Sequence, residues 1–200
     1  MARMTRSESQ AQTRAHLIAT ARDLFLANGY GATSLEKVAE EAGYSKGAVY
    51  SNFRNKKELC LVVLQLIHAT KGSEIAEVMA RPVPLEDRLI AFEDWAQRTL
   101  GDVEWTMLEF EFIAATRHDP ELRTALATNL SSTHHIVQAV LGALVASGEV
   151  TLPMSVEDAT TSALSFGVGL GIQRAIDPTI STSVITRNLR ALLGGSGDGP

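Results

Sequence analysis

Residues 33–58 read TSLEKVAEEAGYSKGAVYSNFRNKKE. Thr33 with Glu36 three positions on has the pattern of a capping box, so a helix opens here. Leu35, Val38, Ala39 and Ala42 give that helix one apolar face, and Gly43 stops it. Ser45 then caps a second short helix from Lys46 to Ser51, and Asn55 before Lys56-Lys57-Glu58 opens a third. Two short helices joined by a glycine-containing turn predict a helix-turn-helix, whose second helix enters the major groove by its N-terminal end. Lys46, Gly47 and Ala48 suit a close approach, being compact apart from one cationic arm. Ala48 fits against a thymine methyl, and Lys46 against a guanine edge or a phosphate. Val49 and Phe53 are expected to face the core, and Tyr50 offers a hydroxyl near the nucleic-acid backbone. Lys56 and Lys57 sit where the helix dipole disfavours cations. A phosphate docked on the free amides would explain them. Two solvated lysines tolerated at small cost would do so equally.

Outward from this stretch, almost every long segment carries apolar residues at helical spacing and none alternates convincingly as a strand. Before it, 10–28 places Leu17, Ala21, Leu24 and Phe25 on one stripe, with Gly29 as C-cap. After it, an apolar helix runs from 56 to about 79 and stops at Arg81-Pro82-Val83-Pro84. Further helices are expected over 85–100, 103–117 (Asp102 as cap), 120–147 (Asp119 as cap, Pro120 first), 155–175 and 179–193. The glycine-rich 194–200 reads as a disordered tail. The expected fold is all-α with about nine helices. A helix-turn-helix domain covers 10–55, a connecting helix 56–80, and a ligand-binding and dimerisation domain 81–193.

Composition agrees with a two-part chain. Residues 1–60 carry nine Lys or Arg against six Asp or Glu, whereas 61–200 carry nine against seventeen. A basic head on an acidic body fits a head that meets phosphate. The single cysteine, Cys60, cannot form an intramolecular disulfide, and its apolar neighbours suggest a buried thiol. There is no signal-peptide pattern, and no apolar run approaches a membrane span, so a soluble cytoplasmic protein without membrane contact is expected.

The order of Phe25, Gly29, Thr33, Val38, Ala39, Gly43, Ser45, Gly47, Tyr50, Phe53, Lys56 and Leu59 resembles the DNA-binding domain of the TetR (tetracycline repressor-like) family. The likeness covers 13–60 directly; the remainder is similar only in length and helical organisation. It implies DNA contacts from Lys46, Tyr50 and Lys56, and a phosphate on Thr33 or Ser34. Ser45 and Gly47 belong to the same reading helix. Tyr44, Ala48 and Arg54 depart from the usual pattern and leave operator preference open; Tyr44 packs or touches DNA, and Arg54 adds a phosphate contact. Arg3, Arg6 and Arg14 would add positive charge, although Arg3 and Arg6 equally suit a disordered basic arm.

The resemblance also implies one effector pocket in the body, for which Trp95, Trp105, Met107, Leu108, Glu109, Phe112, His134 and Phe166 are candidates. Plain core packing would use the same residues. Glu109 and Glu111, two apart, do not share a helix face, so one is expected at the cavity and the other in solvent. Adjacent His134 and His135 point apart, and no metal site, cofactor or enzyme motif is expected. The last two helices are implied to pair with a second copy through Ala159, Ala163, Phe166, Gly167, Leu170, Val184 and Leu189. Together these features lead to a homodimeric repressor of a palindromic or near-palindromic operator, released by a small organic effector. The alternative is an all-helical ligand-binding or protein-interaction module without a specific operator.

Overall fold

In the computed structural model, residues 5–193 are described, and among them are nine α-helices and no strand. Arg3 and the expected tail 194–200 lie outside the described residues. The helices are α1 (Arg6–Ala32), α2 (Leu35–Glu41), α3 (Lys46–Asn52), α4 (Lys56–Met79), α5 (Leu85–Thr99), α6 (Val103–Ala115), α7 (Pro120–Ala146), α8 (Val156–Ile176) and α9 (Ser183–Leu192).

Their ends follow from local chemistry. α1 begins four residues before the expected start, because Thr5 and Glu8 form a capping box. Its regular part closes at Gly29, whose φ is +80°. Ser34, not Thr33, caps α2 by accepting from the Lys37 amide at 3.1 Å. Thr33 is buried, and its hydroxyl donates to the carbonyls of Leu24 (3.2 Å) and Gly29 (3.0 Å). Gly43, at φ +72°, makes the turn into α3, a conformation L residues rarely adopt. Asn55, Asp102 and Asp119 each accept from the amide three residues on, as their positions suggested. The last helix begins at Ser183 rather than 179. Asp177 accepts from the Thr179 amide at 3.0 Å and its hydroxyl at 2.6 Å, folding that segment into a turn.

Two compact units result. The first holds the residues up to Ile67 together with Met107–Ala127; the second holds His68–Thr106 together with the residues from Thr128 on. The boundaries fall inside α4, α6 and α7. The core of the first unit is built from Leu17, Ala21, Phe25, Val38, Val49, Phe53, Leu59 and Val63, with Leu108 and Phe112 also buried. The second packs Phe92 against Trp95, rings stacked 5.3 Å apart, among Leu89, Leu100, Leu141, Leu144, Ala159, Leu170 and Ile185. Two buried cations there meet acceptors, although the Arg88 Nε has none. Arg88 donates to the Met79 carbonyl and pairs with Glu149; Arg174 donates to the carbonyls of Leu100 and Ile180.

Contrary to the sequence expectation, α4 is long and apolar enough, by length and composition, to cross a membrane. Its Leu59, Cys60, Val63, Leu64 and Ile67 are instead buried in the protein. Burial pushes the Cys60 thiol above its ordinary range, and the side chain is inaccessible. Cys60 should therefore resist alkylation at mildly alkaline pH in the folded protein and react fully in denaturant, as followed by mass spectrometry. Gly43→Ala should lower stability by about 1–2 kcal/mol, read from urea titration, since an added Cβ meets no neighbour but the backbone is left-handed.

Candidate nucleic-acid interface

α3 is too short to hold itself, and its orientation comes from one face. Val49 and, just past its end, Phe53 are fully buried, which turns Lys46, Gly47, Tyr50 and Ser51 to solvent. Ser45 starts the helix by accepting from the Ala48 amide at 3.2 Å. Arg14 finishes it. Its guanidinium donates to the Asn52 carbonyl at 2.7 Å and lies 4.2 Å from the Phe53 ring centre. The arginine expected as a contact for DNA is thus a brace at the C-terminal end of α3, where a cation also complements the helix dipole. Tyr44 is half-buried and packs edge-on against His16, 5.6 Å between centroids. Ala48 is half-buried as well.

Gly47 is exposed, and a Cβ built on it would meet only the Ser45 hydroxyl, at 3.8 Å. Nothing inside the fold requires glycine there, although glycine costs a helix up to ~1 kcal/mol relative to alanine.

Tyr50 was expected to offer its hydroxyl to a phosphate. In the structure that hydroxyl donates to Glu36 Oε1, on α2, at 2.6 Å. The bond holds the Glu36 carboxyl below its ordinary pKa and raises that of Tyr50. Glu36 is thus a partner of the exposed face of α3, where sequence reading assigned it to a capping box. Fourteen residues separate the pair, and no periodicity links them.

The lysines at the start of α4 also have protein partners. Lys56 donates to the carbonyls of Tyr30 (2.9 Å) and Gly31 (3.3 Å), with its ammonium 4.3 Å from the centre of the Tyr30 ring. Lys57 pairs with Asp119 at 2.8 Å. These contacts give both lysines protein partners at that helix start. Lys56 is half-buried, with its ammonium on these protein partners. Arg54 is largely exposed and pairs with Glu58, Nε to Oε2 3.3 Å. The same turn is held from the other side by Glu111, which accepts from the amides of Tyr30 (2.6 Å) and Gly31 (3.3 Å). Glu111 is exposed, as expected of one member of the Glu109 and Glu111 pair, but its carboxylate is engaged by these two amides. Of the expected DNA contacts, Ser34, Ser45, Lys46, Gly47, Tyr50 and Arg54 are exposed, and Thr33 is not.

The expected pocket residues fall into both units. In the first, Leu108 and Phe112 are core residues, Phe112 lying edge-on to Tyr30 at 5.4 Å, while Glu109 is half-buried and Met107 exposed. In the second, the Trp95 indole donates to Glu74 at 2.8 Å. Trp105 sits 6.4 Å from His68, ring to ring, and its buried indole N–H has no hydrogen-bond partner. His134 and Phe166 are half-buried. A groove of about 530 Å³ in the first unit is lined by Ile113, Ala114, Thr116, Arg117, Arg123 and Leu126. A cleft of about 360 Å³ in the second runs past Lys71, Glu74, Arg81, Trp95 and Arg98. Trp95 alone of the eight candidates borders either of these. Among the expected dimer contacts, Ala159 and Leu170 are corrected to core positions of their own chain. Ala163, Phe166, Gly167, Val184 and Leu189 are half-buried, and Val168 and Ile176 are the exposed apolar residues of α8. Among the described residues no cluster of His, Cys, Asp or Glu is arranged to hold a metal.

Residues 17–63 match the model of "Bacterial regulatory proteins, tetR family", and residues 86–195 match that of "BetI-type transcriptional repressor, C-terminal". The probable HTH-type transcriptional regulator ArpR of Pseudomonas putida is 38% identical over 89 residues, 44% of this chain and 40% of its own length. A putative transcriptional regulator from Rhodococcus sp. RHA1 has the same fold, with TM-score 0.76 at 20% identity, covering 91% of this chain and 95% of that one. The regulator FadR from Bacillus subtilis, solved in complex with stearoyl-CoA, gives 0.69 at 18% identity, covering 92% and 99%. These are regulators of transcription rather than enzymes. Both the reading head and the helical body are thus accounted for by one lineage, and the chain belongs to the tetR family of bacterial regulatory proteins.

Proposed function

We propose that this protein is a homodimeric, sequence-specific repressor of transcription. It binds a palindromic or near-palindromic operator in duplex DNA, acts in the cytoplasm, and is released by a small organic effector. The observation that carries the reading is the outward face of α3. Lys46, Gly47 and Tyr50 stand exposed on a helix held from behind by Val49, Phe53 and Arg14. Such a face suits the major groove. Ser34 and Ser45 at neighbouring helix starts, with Ala48, Tyr44 and Arg54 around them, supply the rest of the contact set. A single seven-residue helix touches few base pairs, which favours two heads on two half-sites. The exposed Val168 and Ile176 on α8, with Gly167, Val184 and Leu189 nearby, are the surface for that pairing. FadR from Bacillus subtilis was solved with stearoyl-CoA, an example of this fold with a small organic molecule. The proposed effector acts by favouring a state of the dimer whose heads no longer match the half-site spacing.

Selection of bound sites from random duplex DNA should yield a symmetric sequence, and one member of a small-molecule panel should abolish its binding. Recovery of no preferred sequence, with only weak and salt-labile binding, would overturn the operator. Gly47→Ala tests the face itself. The variant should melt no lower than the parent, because the added methyl has room, yet bind the selected site at least about tenfold more weakly. Unchanged affinity would mean that DNA does not approach α3 there.

A further inference from the structure

The expected phosphate role of Tyr50 conflicts with where its proton lies. A phosphate oxygen is only an acceptor, so a tyrosine that binds it must donate its O–H. Here the O–H is directed at Glu36 Oε1, 2.6 Å away, a charge-assisted bond of the strong kind. What Tyr50 then presents outward is the lone pair of its oxygen, with a carboxylate behind it. Both features repel a phosphate and attract a hydrogen-bond donor. The reading surface of DNA offers two such donors in the major groove, the exocyclic amino groups of adenine (N6) and cytosine (N4). Tyr50 is half exposed and follows Lys46 by one helical turn, so the two share the outward face of α3. Glu36 belongs to the first turn of α2, the helix packed on α3, and its placement is as fixed as that of α3 itself.

We propose that Glu36 and Tyr50 act as one specificity-determining pair: Glu36 holds the phenol proton, so Tyr50 meets DNA as an acceptor and selects a base carrying an exocyclic amino group. Glu36 is the positioning residue and Tyr50 the contact. The inference rests on the operator-binding reading above and adds what this part of the surface selects. It also accounts for an acidic side chain at a face meant for a polyanion, because the carboxylate acts through the phenol.

Site selection followed by salt titration of affinity would test it, using the full chain, Tyr50→Phe, Glu36→Ala and the double variant. Melting curves establish that each variant is folded. The parent should prefer adenine or cytosine at one symmetric position. Tyr50→Phe and Glu36→Ala should both relax that position by about tenfold, non-additively when combined, with the salt slope unchanged. In synthetic duplexes, purine in place of the selected adenine, or 2-pyrimidinone in place of the selected cytosine, removes only the amino group. That change should weaken the parent and leave Tyr50→Phe indifferent, and it identifies which base supplies the donor. Uniform weakening of Tyr50→Phe on all sequences, with a salt slope smaller by about one, would overturn the pair in favour of a phosphate contact. A selected site whose preferences Tyr50→Phe leaves intact would overturn it as well. A parent that selects no site at all would instead defeat the operator reading, and this inference with it.

Discussion

A helix of seven residues carries too few internal hydrogen bonds to persist in water by itself. The existence of α3 is therefore a tertiary matter. Burial of Val49 and Phe53 contributes about 1.5–3 kcal/mol each relative to exposure. Arg14 closes the far end through the Asn52 carbonyl and the Phe53 ring. The contacts that stabilise the helix are the contacts that aim it. Stability and recognition geometry cannot be separated at these positions, whereas on the outward side they separate fully. Gly47 matters to the fold hardly at all.

Behind the reading helices, one short turn collects charge from two sides. At Tyr30 and Gly31 the amides are taken by the Glu111 carboxylate and the carbonyls by the Lys56 ammonium. A left-handed turn leaves both kinds of backbone group unpaired, and each would be costly to bury without a partner. The two side chains come from α6 and α4, so the end of α1 is fixed by residues far from it in sequence. Asp119 against Lys57 adds a third tie in the same unit.

The pattern of helices was legible because capping residues, glycines and apolar spacing are local signals. Ser45, Asn55, Asp102 and Asp119 act where their neighbours imply. The misreadings are also physical. At 33–36 two adjacent hydroxyl residues compete for one cap, and the buried one, Thr33, is drawn instead to carbonyls of α1. The head's apolar and turn positions were readable, but the partners of its polar side chains were not. Glu36, Arg14, Lys56 and Glu111 each bond to something distant in sequence, and periodicity says nothing about such pairs. In the body the difficulty is different. Aromatic residues that suit a pocket equally suit a core, and Phe112 and Trp95 went to the core.

The discontinuity of the first unit has a consequence for how the protein is made. The helix-turn-helix is encoded ahead of Met107–Ala127, yet its unit includes that segment. While the ribosome is still translating the intervening stretch, Tyr30, Gly31 and Lys57 lack their carboxylate partners. The head reaches its finished form only after Ala127 has left the exit tunnel. A gene fragment ending after α4 would encode the reading helices without the side chains that complete them.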